Sequence, residues 1–386
     1  MFQLNRYIHP GYLSHHLSRE IQELYWAKSI SDLATAAVML FEPIFLVSVL
    51  GFSMQQVMYF FLAVYGIYLV ILPLGAKVAA KKGYEHAILY STLFMVLYWA
   101  LLFAAQEVNF WIYLAPIALA VQKCLYWPAF YADMARFSSA DQRGRENSGL
   151  YALVSIIFIL GPFLGGYLLS EFGYSSLFIV ATVLMLLSNL PLFSTIEQFT
   201  PKEYKYSDTL AMFKAYPKQM VGYWGFGEEL TQLVIWPIFI FMTIPDFFDF
   251  GTIISISTLI ATAVMLYVGV LTDRGNAKHV LIRTFSVFNA IFWFIRPYFP
   301  NFKGIVTTNT LGTIGKHSLI VPITSMTYDR ANETHIMPYL VFFEQNLIIG
   351  KLLMILSVLV VLQFTTSFLP LFFLAGIFSL LFVNLK

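Results

Sequence analysis

Charge is what this 386-residue sequence has least of. Asp, Glu, Lys and Arg make up 11% of it, where a soluble globular domain carries about 25%, so the chain cannot coat a body in water. The few charges nearly cancel, at a formal +2, which excludes a nucleic-acid binder working through a basic face. Cysteine occurs once, at Cys124, and a lone thiol excludes an internal disulfide scaffold. A G-x-x-x-x-G-K-[ST] phosphate loop is also missing: Gly315-Lys316 is followed by His317 inside an apolar run. No H-x-x-x-H or paired-cysteine spacing occurs among the seven histidines. A membrane enzyme would gather its ionisable groups at one interface, and here they fall at mid-depth. The sequence therefore predicts no enzyme, no metal and no cofactor.

What is present is apolar. The chain is 59% hydrophobic and 18% aromatic, with a mean hydropathy of +0.73. A helix needs about 20 apolar residues to cross the hydrocarbon, and lipid leaves a free backbone amide no other partner. Runs of that kind predict spans near 27–50, 56–79, 86–106, 111–137, 147–169, 175–195, 219–243, 252–272, 280–299, 304–328, 337–362 and 368–385. The expected fold class is an all-α polytopic membrane protein with twelve transmembrane helices. Residues 1–26 hold His, Arg and Glu without the apolar run of a signal peptide. Their helical stretch either lies along the membrane surface or leads into the first span, and both readings stand.

Basic residues set the orientation. Lys81, Lys82, Arg143, Arg145, the stretch Lys202 to Lys218, Arg274 to Arg283 and Arg330 share one side with both termini. The opposite connections have no Lys or Arg apart from Arg296 and Lys303 flanking one of them. The basic side is expected to face the cytoplasm, in a bacterial plasma (inner) membrane. Asn332-Glu333-Thr334 matches a glycosylation sequon, but this topology places it inside the cell.

The longest polar break divides the chain into a segment 27–196 with six spans, a cytoplasmic linker 197–218 and a segment 219–386 with six more. Shifting the first half by about 194 positions lays Pro43-Ile44-Phe45 on Pro237-Ile238-Phe239, Gly75 on Gly269, and Trp99 on Trp293. The same shift lays Pro128 on Pro322 and Arg136 on Arg330. Coincidences from four helices at one shift point to a duplicated unit, hence two pseudo-symmetric six-helix bundles with a solute held between them near mid-membrane.

Gly269-Val-Leu-Thr-Asp273-Arg274-Gly-Asn-Ala-Lys278 resembles the G-x-x-x-D-R-x-G-R-K loop signature of the major facilitator superfamily. The matching first-half loop, Gly75 to Gly83, keeps the glycines and basic residues but has Ala79 and Ala80 in place of Asp and Arg. Pro128 to Asp133, Arg143-Gly144, Gly149 and Gly161-Pro162-Phe-Leu-Gly165-Gly166 are similar to that family's passage from the fourth to the fifth helix. The resemblance implies the MFS fold and alternating access, and names no substrate. It implies a cytoplasmic gate in which Asp273 contacts the start of the eleventh helix and Arg330, with Gly75 and Gly269 at tight helix ends. A carboxylate at a helix N-terminus contributes about 0.3–1 kcal/mol, a suitable size for a latch that opens. In the first half Asp133, one turn before Arg136, either substitutes for the missing acid or the latch is absent. The Gly161–Gly166 element predicts a proline kink in helix 5 with a flat glycine face, and in the family it leans toward export.

An ionised group at the centre of a span costs about 2.5–3.5 kcal/mol and usually faces a partner or a wet cavity. Lys123, Glu228, Glu229, Lys316 and Lys351 fall near the middle of their spans. Asp32 and Glu42 lie on the first helix, and Glu344 in the inner part of the eleventh. Most sit on helices 1, 4, 7 and 10, which line the cavity in the resembled family; helices 3, 6, 9 and 12 read as free of such charges. Lys123 and His317 are equivalent in the duplication. The candidate substrate-binding residues are Lys123, Lys316, His317, Glu228, Gln232, Trp127, Tyr65 and Lys351, with the lysines suited to a carboxylate or phosphate. Asp32, Glu42 and Glu229 are the candidate proton carriers. The competing reading is static ion pairing of the lysines with Glu228, Glu229 or Glu344, in which breaking a pair destabilises the fold without touching a mechanism.

The function expected is a secondary active transporter of a small solute, proton-coupled, leaning to export and working as a monomer in the lipid bilayer. The alternatives are a lipid flippase of the same fold and a non-transporting membrane sensor.

Overall fold

A computed structural model describes residues 19–137, 143–191, 201, 203–272 and 277–385. The described residues are helical, with no strand. In chain order the helices are α1 (Arg19–Val38), α2 (Glu42–Ser48), α3 (Met54–Lys82), α4 (Tyr84–Ala105), α5 (Ala115–Phe137), α6 (Arg143–Leu187), α7 (Tyr206–Ala215), α8 (Pro217–Tyr223), α9 (Glu228–Leu230), α10 (Trp236–Thr243), α11 (Phe247–Thr272), α12 (Ala277–Ile295), α13 (Phe302–Glu333), α14 (Ile336–Val361) and α15 (Leu369–Leu381).

Eight described stretches are long and apolar enough to cross a membrane, which makes the chain a multi-pass membrane protein. The remaining expected spans differ for physical reasons. The fifth and sixth join in α6, whose one interior departure from helical geometry is Gly173 at φ 74°. That left-handed conformation suits a residue without Cβ. Pro162, expected to kink this helix, leaves its φ/ψ helical. The seventh span is not one helix: α8 passes through a 3₁₀ turn (Trp224–Gly227), α9 and a π-helical turn (Thr231–Ile235) before α10. π turns of this kind recur at functional sites. The tenth, α13, carries too many polar residues to pass on hydropathy, and the last is a short apolar helix, Leu369–Asn384. At the other end, α1 runs unbroken from Arg19 into the first span.

Helix packing follows the small residues. α1 packs on α6, α5 on α3 and α4, and α13 on α11 and α12, while α6–α11 and α3–α14 join the two halves of the sequence. A Cβ on Gly161 or Gly165 would collide with Ala36 and Ala37 of α1, and one on Gly166 with the Phe247 carbonyl of α11. The helix-5 element is thus a packing surface of two kinds, toward its own half and across to the other. Gly75 lies against the Cys124 backbone of α5 in the same way. Pairs related by the 194-residue shift occupy matching contexts. Pro43 and Pro237 each open the helix that follows an interruption. Trp99 and Trp293 are both buried, and Pro128 and Pro322 both lie inside helices.

Candidate functional site

Three glycines bring the charges of the second half together. Gly227 and Gly350 let the seventh span and α14 touch backbone to backbone, and Gly315 sets α13 against Phe288 and Asn289 of α12. Lys316 Nζ then lies 2.5 Å from Glu228 Oε1 and 3.1 Å from Glu229 Oε1. Lys351 Nζ lies 3.0 Å from Glu229 Oε2. The four charges form one alternating chain, Glu228–Lys316–Glu229–Lys351, across the seventh span, α13 and α14. Glu228 Oε2 accepts from Trp293 Nε1 at 2.9 Å and from Asn289 Nδ2 at 3.3 Å. Asn289 also donates to Ser379 Oγ at 3.0 Å, so α15 supports the same acid. Glu228 is fully buried, whereas 19% of the Glu229 side chain stays accessible. The two adjacent acids thus differ in burial, Glu228 being enclosed and Glu229 partly accessible.

The chain of charges reaches the first half along α3. Lys351 sits over the Tyr65 ring, 5.3 Å from its centroid. One turn on, the Tyr68 hydroxyl donates to Glu344 Oε1 at 2.8 Å. Glu344 Oε2 is buried without a hydrogen-bond partner. Lys123 is half-buried on α5 and makes no ion pair among the described residues; Glu42 and Glu344 are the acids on which its charge acts. Glu42 is buried, with Tyr98 and Lys123 as its acting polar neighbours. Trp127, one turn from Lys123, stacks on Tyr131 at 5.3 Å, and Tyr131 meets Phe343 of α14 edge-on at 5.9 Å.

Other candidate residues have neighbours of their own. Asp32 is paired with Lys28 at 2.5 Å, and Lys28 lies 4.5 Å from the centroid of Phe130. Gln232 Oε1 accepts from Arg296 Nη1 at 3.2 Å. His317 is half-buried, with Nδ1 unpartnered. Helix 9 is not free of charge: Arg296 is 1% exposed. Lys28, Asn289, Trp293 and Arg296 are candidate site residues that the pattern of charges in the sequence does not single out, whereas Tyr68 reads there, with Tyr65, Trp127 and Trp236, as a candidate aromatic wall. Lys28 and Arg296 stand close to span ends, where a basic residue normally reaches the interface. Trp293 does carry a signal, as one of the duplicated positions.

At the expected gate, Asp273 and Arg274 lie outside the described residues, as do the side chains of Asp133 and Arg136 and the surroundings of Gly269. Arg330 pairs within its own helix, with Glu333 at 3.6 Å. Among the described residues, an ion pair there joins two helices, Lys278 Nζ to Asp329 Oδ2 at 2.5 Å.

An all-helical chain with several apolar spans and interhelical ion pairs buried among them is a polytopic membrane protein built around a polar centre. A family profile described as the Major Facilitator Superfamily matches residues 24–247, more than half of the sequence, and the chain belongs to that family of membrane transporters. No curated protein matches the sequence. The fold is similar to that of a bacterial homologue of the human drug peptide transporters, at a TM-score of 0.69 and 11% identity over 95% of this chain and 97% of that one. At that identity the likeness concerns the fold alone.

Proposed function

We propose that this protein is a proton-coupled secondary transporter of a small solute bearing an anionic group. Six-helix bundles 27–196 and 219–386, joined by the linker 197–218, rock about the Lys123–Glu229 centre. On this reading both termini lie in the cytoplasm and the membrane is the bacterial inner membrane, as the distribution of basic residues suggests. The observation that carries the reading is the division of labour among the buried charges. Lys316 and Lys351 are held by Glu228 and Glu229, and Lys123, one helical turn from Trp127, is the lysine of this group with no ion pair among the described residues. Glu42 and Glu344 make no ion pair among the described residues, so they take the proton role better than Asp32 and Glu229, which are bound to lysines.

Coupling follows from charge balance. An anionic group on Lys123 engages the cation that acts on Glu42 and Glu344, and a proton on either carboxylate restores neutrality in a dry site. Solute and proton then travel together, down the proton gradient. The export suggested by the helix-5 element would instead require a solute that displaces the proton.

The test uses vesicles reconstituted with the purified protein and a pH dye inside, screened against small carboxylates and phosphates. Solute-dependent proton entry, lost in Lys123→Gln, supports the proposal. Proton movement opposite to the solute reverses the direction. Lipid scrambling without a gradient supports the flippase reading, and binding without flux the sensor.

A further inference from the structure

Arg296 ends the ninth span, yet its guanidinium turns inward and is 1% exposed. It lies between two indoles, with Cζ 3.9 Å from the Trp293 ring centroid and 4.5 Å from that of Trp236. One nitrogen, Nη1, donates to Gln232. Nε and Nη2 donate to nothing, and no carboxylate among the described residues makes an ion pair with this arginine.

A second donor is stranded beside it. Asn309 of α13, also 1% exposed, accepts from Trp236 Nε1 through Oδ1 at 2.8 Å. That bond fixes the amide orientation and leaves Nδ2 without an acceptor. Gly312, one turn further along α13, has no Cβ where Arg296 Nη2 packs. Three buried donor nitrogens are thus gathered around Trp236 and the Asn309–Gly312 turn, with no acceptor given to any of them. Glu228, the acid joined to Arg296 through the Trp293 indole, is already held by Lys316. Buried donors need acceptors, and a buried charge needs a counter-charge.

We propose that Arg296 and Asn309, walled by Trp236 and Trp293, form a binding site for a small monovalent anion of the size of chloride. It lies within the second half of the chain, between α10, α12 and α13. The two indole faces hold the guanidinium and not the anion; the donors left over, from one cation and one amide, suit a monovalent halide, and do not suit sulfate or phosphate, whose second charge would lack a partner. The site lies off Lys123, and the proposal stands whether or not the transport reading does.

The test is thermal unfolding of the detergent-purified protein in sodium chloride, bromide, sulfate or gluconate at matched ionic strength. Halides are expected to raise Tm saturably by about 1–3 °C over gluconate, with sulfate giving no rise. Arg296→Gln and Asn309→Ala should each lose the halide increment, and Gly66→Ala, which has open space around it, should keep it. Asn309→Ala keeps the question decidable if Arg296→Gln does not fold. Equal Tm in chloride and gluconate, or a halide increment that survives Asn309→Ala, overturns the proposal and leaves water as the occupant.

Discussion

Lys123 and Lys316 have the same side chain at equivalent depths on α5 and α13, yet their substitution should give opposite results. Lys316 bridges two glutamates, so Lys316→Gln leaves the enclosed Glu228 without its cation while Glu229 keeps Lys351, a loss of about 3–5 kcal/mol. The variant should unfold early or fail to accumulate, which a melting curve reads directly. Lys123 has no ion pair to lose, so Lys123→Gln should melt within about 2 °C of the parent, a small stability change, while solute-driven proton entry disappears. Normal flux in that variant would remove Lys123 from the binding site. Glu344→Gln separates a proton carrier from a structural acid. Its amide can still accept from Tyr68, so fold and solute binding should persist, and proton movement per solute should fall. The identities of these groups are readable in the sequence as charges stranded in apolar runs. Their pairing is not, because a pair spans α13 and the seventh span, and nothing in the spacing of one helix names its partner on another.

At the scale of helices, hydropathy recovers where most spans lie, since apolar length and bilayer thickness are the same constraint. It misses the breaks in the seventh span. Tyr223 to Thr243 is apolar enough to read as one helix, and the 3₁₀ turn falls where Gly225 meets Phe382 and Gly227 meets Phe378 and the Gly350 backbone, contacts that a single helix does not announce. The glycine-rich element of helix 5 is legible as a packing face; its split allegiance is not. That split is testable by size. Gly166→Val would drive a side chain into the Phe247 backbone of α11 and should destabilise by about 1–3 kcal/mol, the usual range for overpacking. Gly66→Ala meets nothing within 4 Å and should be neutral or stabilising by up to about 1 kcal/mol. Matched melting curves check both, and equal stability would mean that the α6–α11 seam is loose.

Over the whole molecule, the two halves meet along α6–α11 and along α3–α14, and the second seam carries the Lys351–Tyr65 and Tyr68–Glu344 contacts. At the end of that seam away from the lysine- and arginine-rich loops, Gln55 Nε2 donates to the Leu362 carbonyl at 3.4 Å. Beside that seam and toward its other end, Tyr131 of α5 meets Phe343 of α14 and Tyr328 of α13. A carrier that rocks must open this seam at one end while the other stays closed. Gln55→Cys combined with Leu362→Cys, joined by a short reducible crosslink, ties the end that carries Gln55. Native Cys124 is buried and hydrogen-bonded to the Ile71 carbonyl, so it should not compete for the reagent. The crosslinked protein should lose flux in vesicles and regain it on reduction, while each single cysteine variant treated alike stays active. Ligand binding in detergent should survive the crosslink, because the bridge lies far along α3 from Tyr65. A sensor with a rigid fold would bind equally well in both states, and a flux that continued through the tether would show that the halves need not separate along this seam.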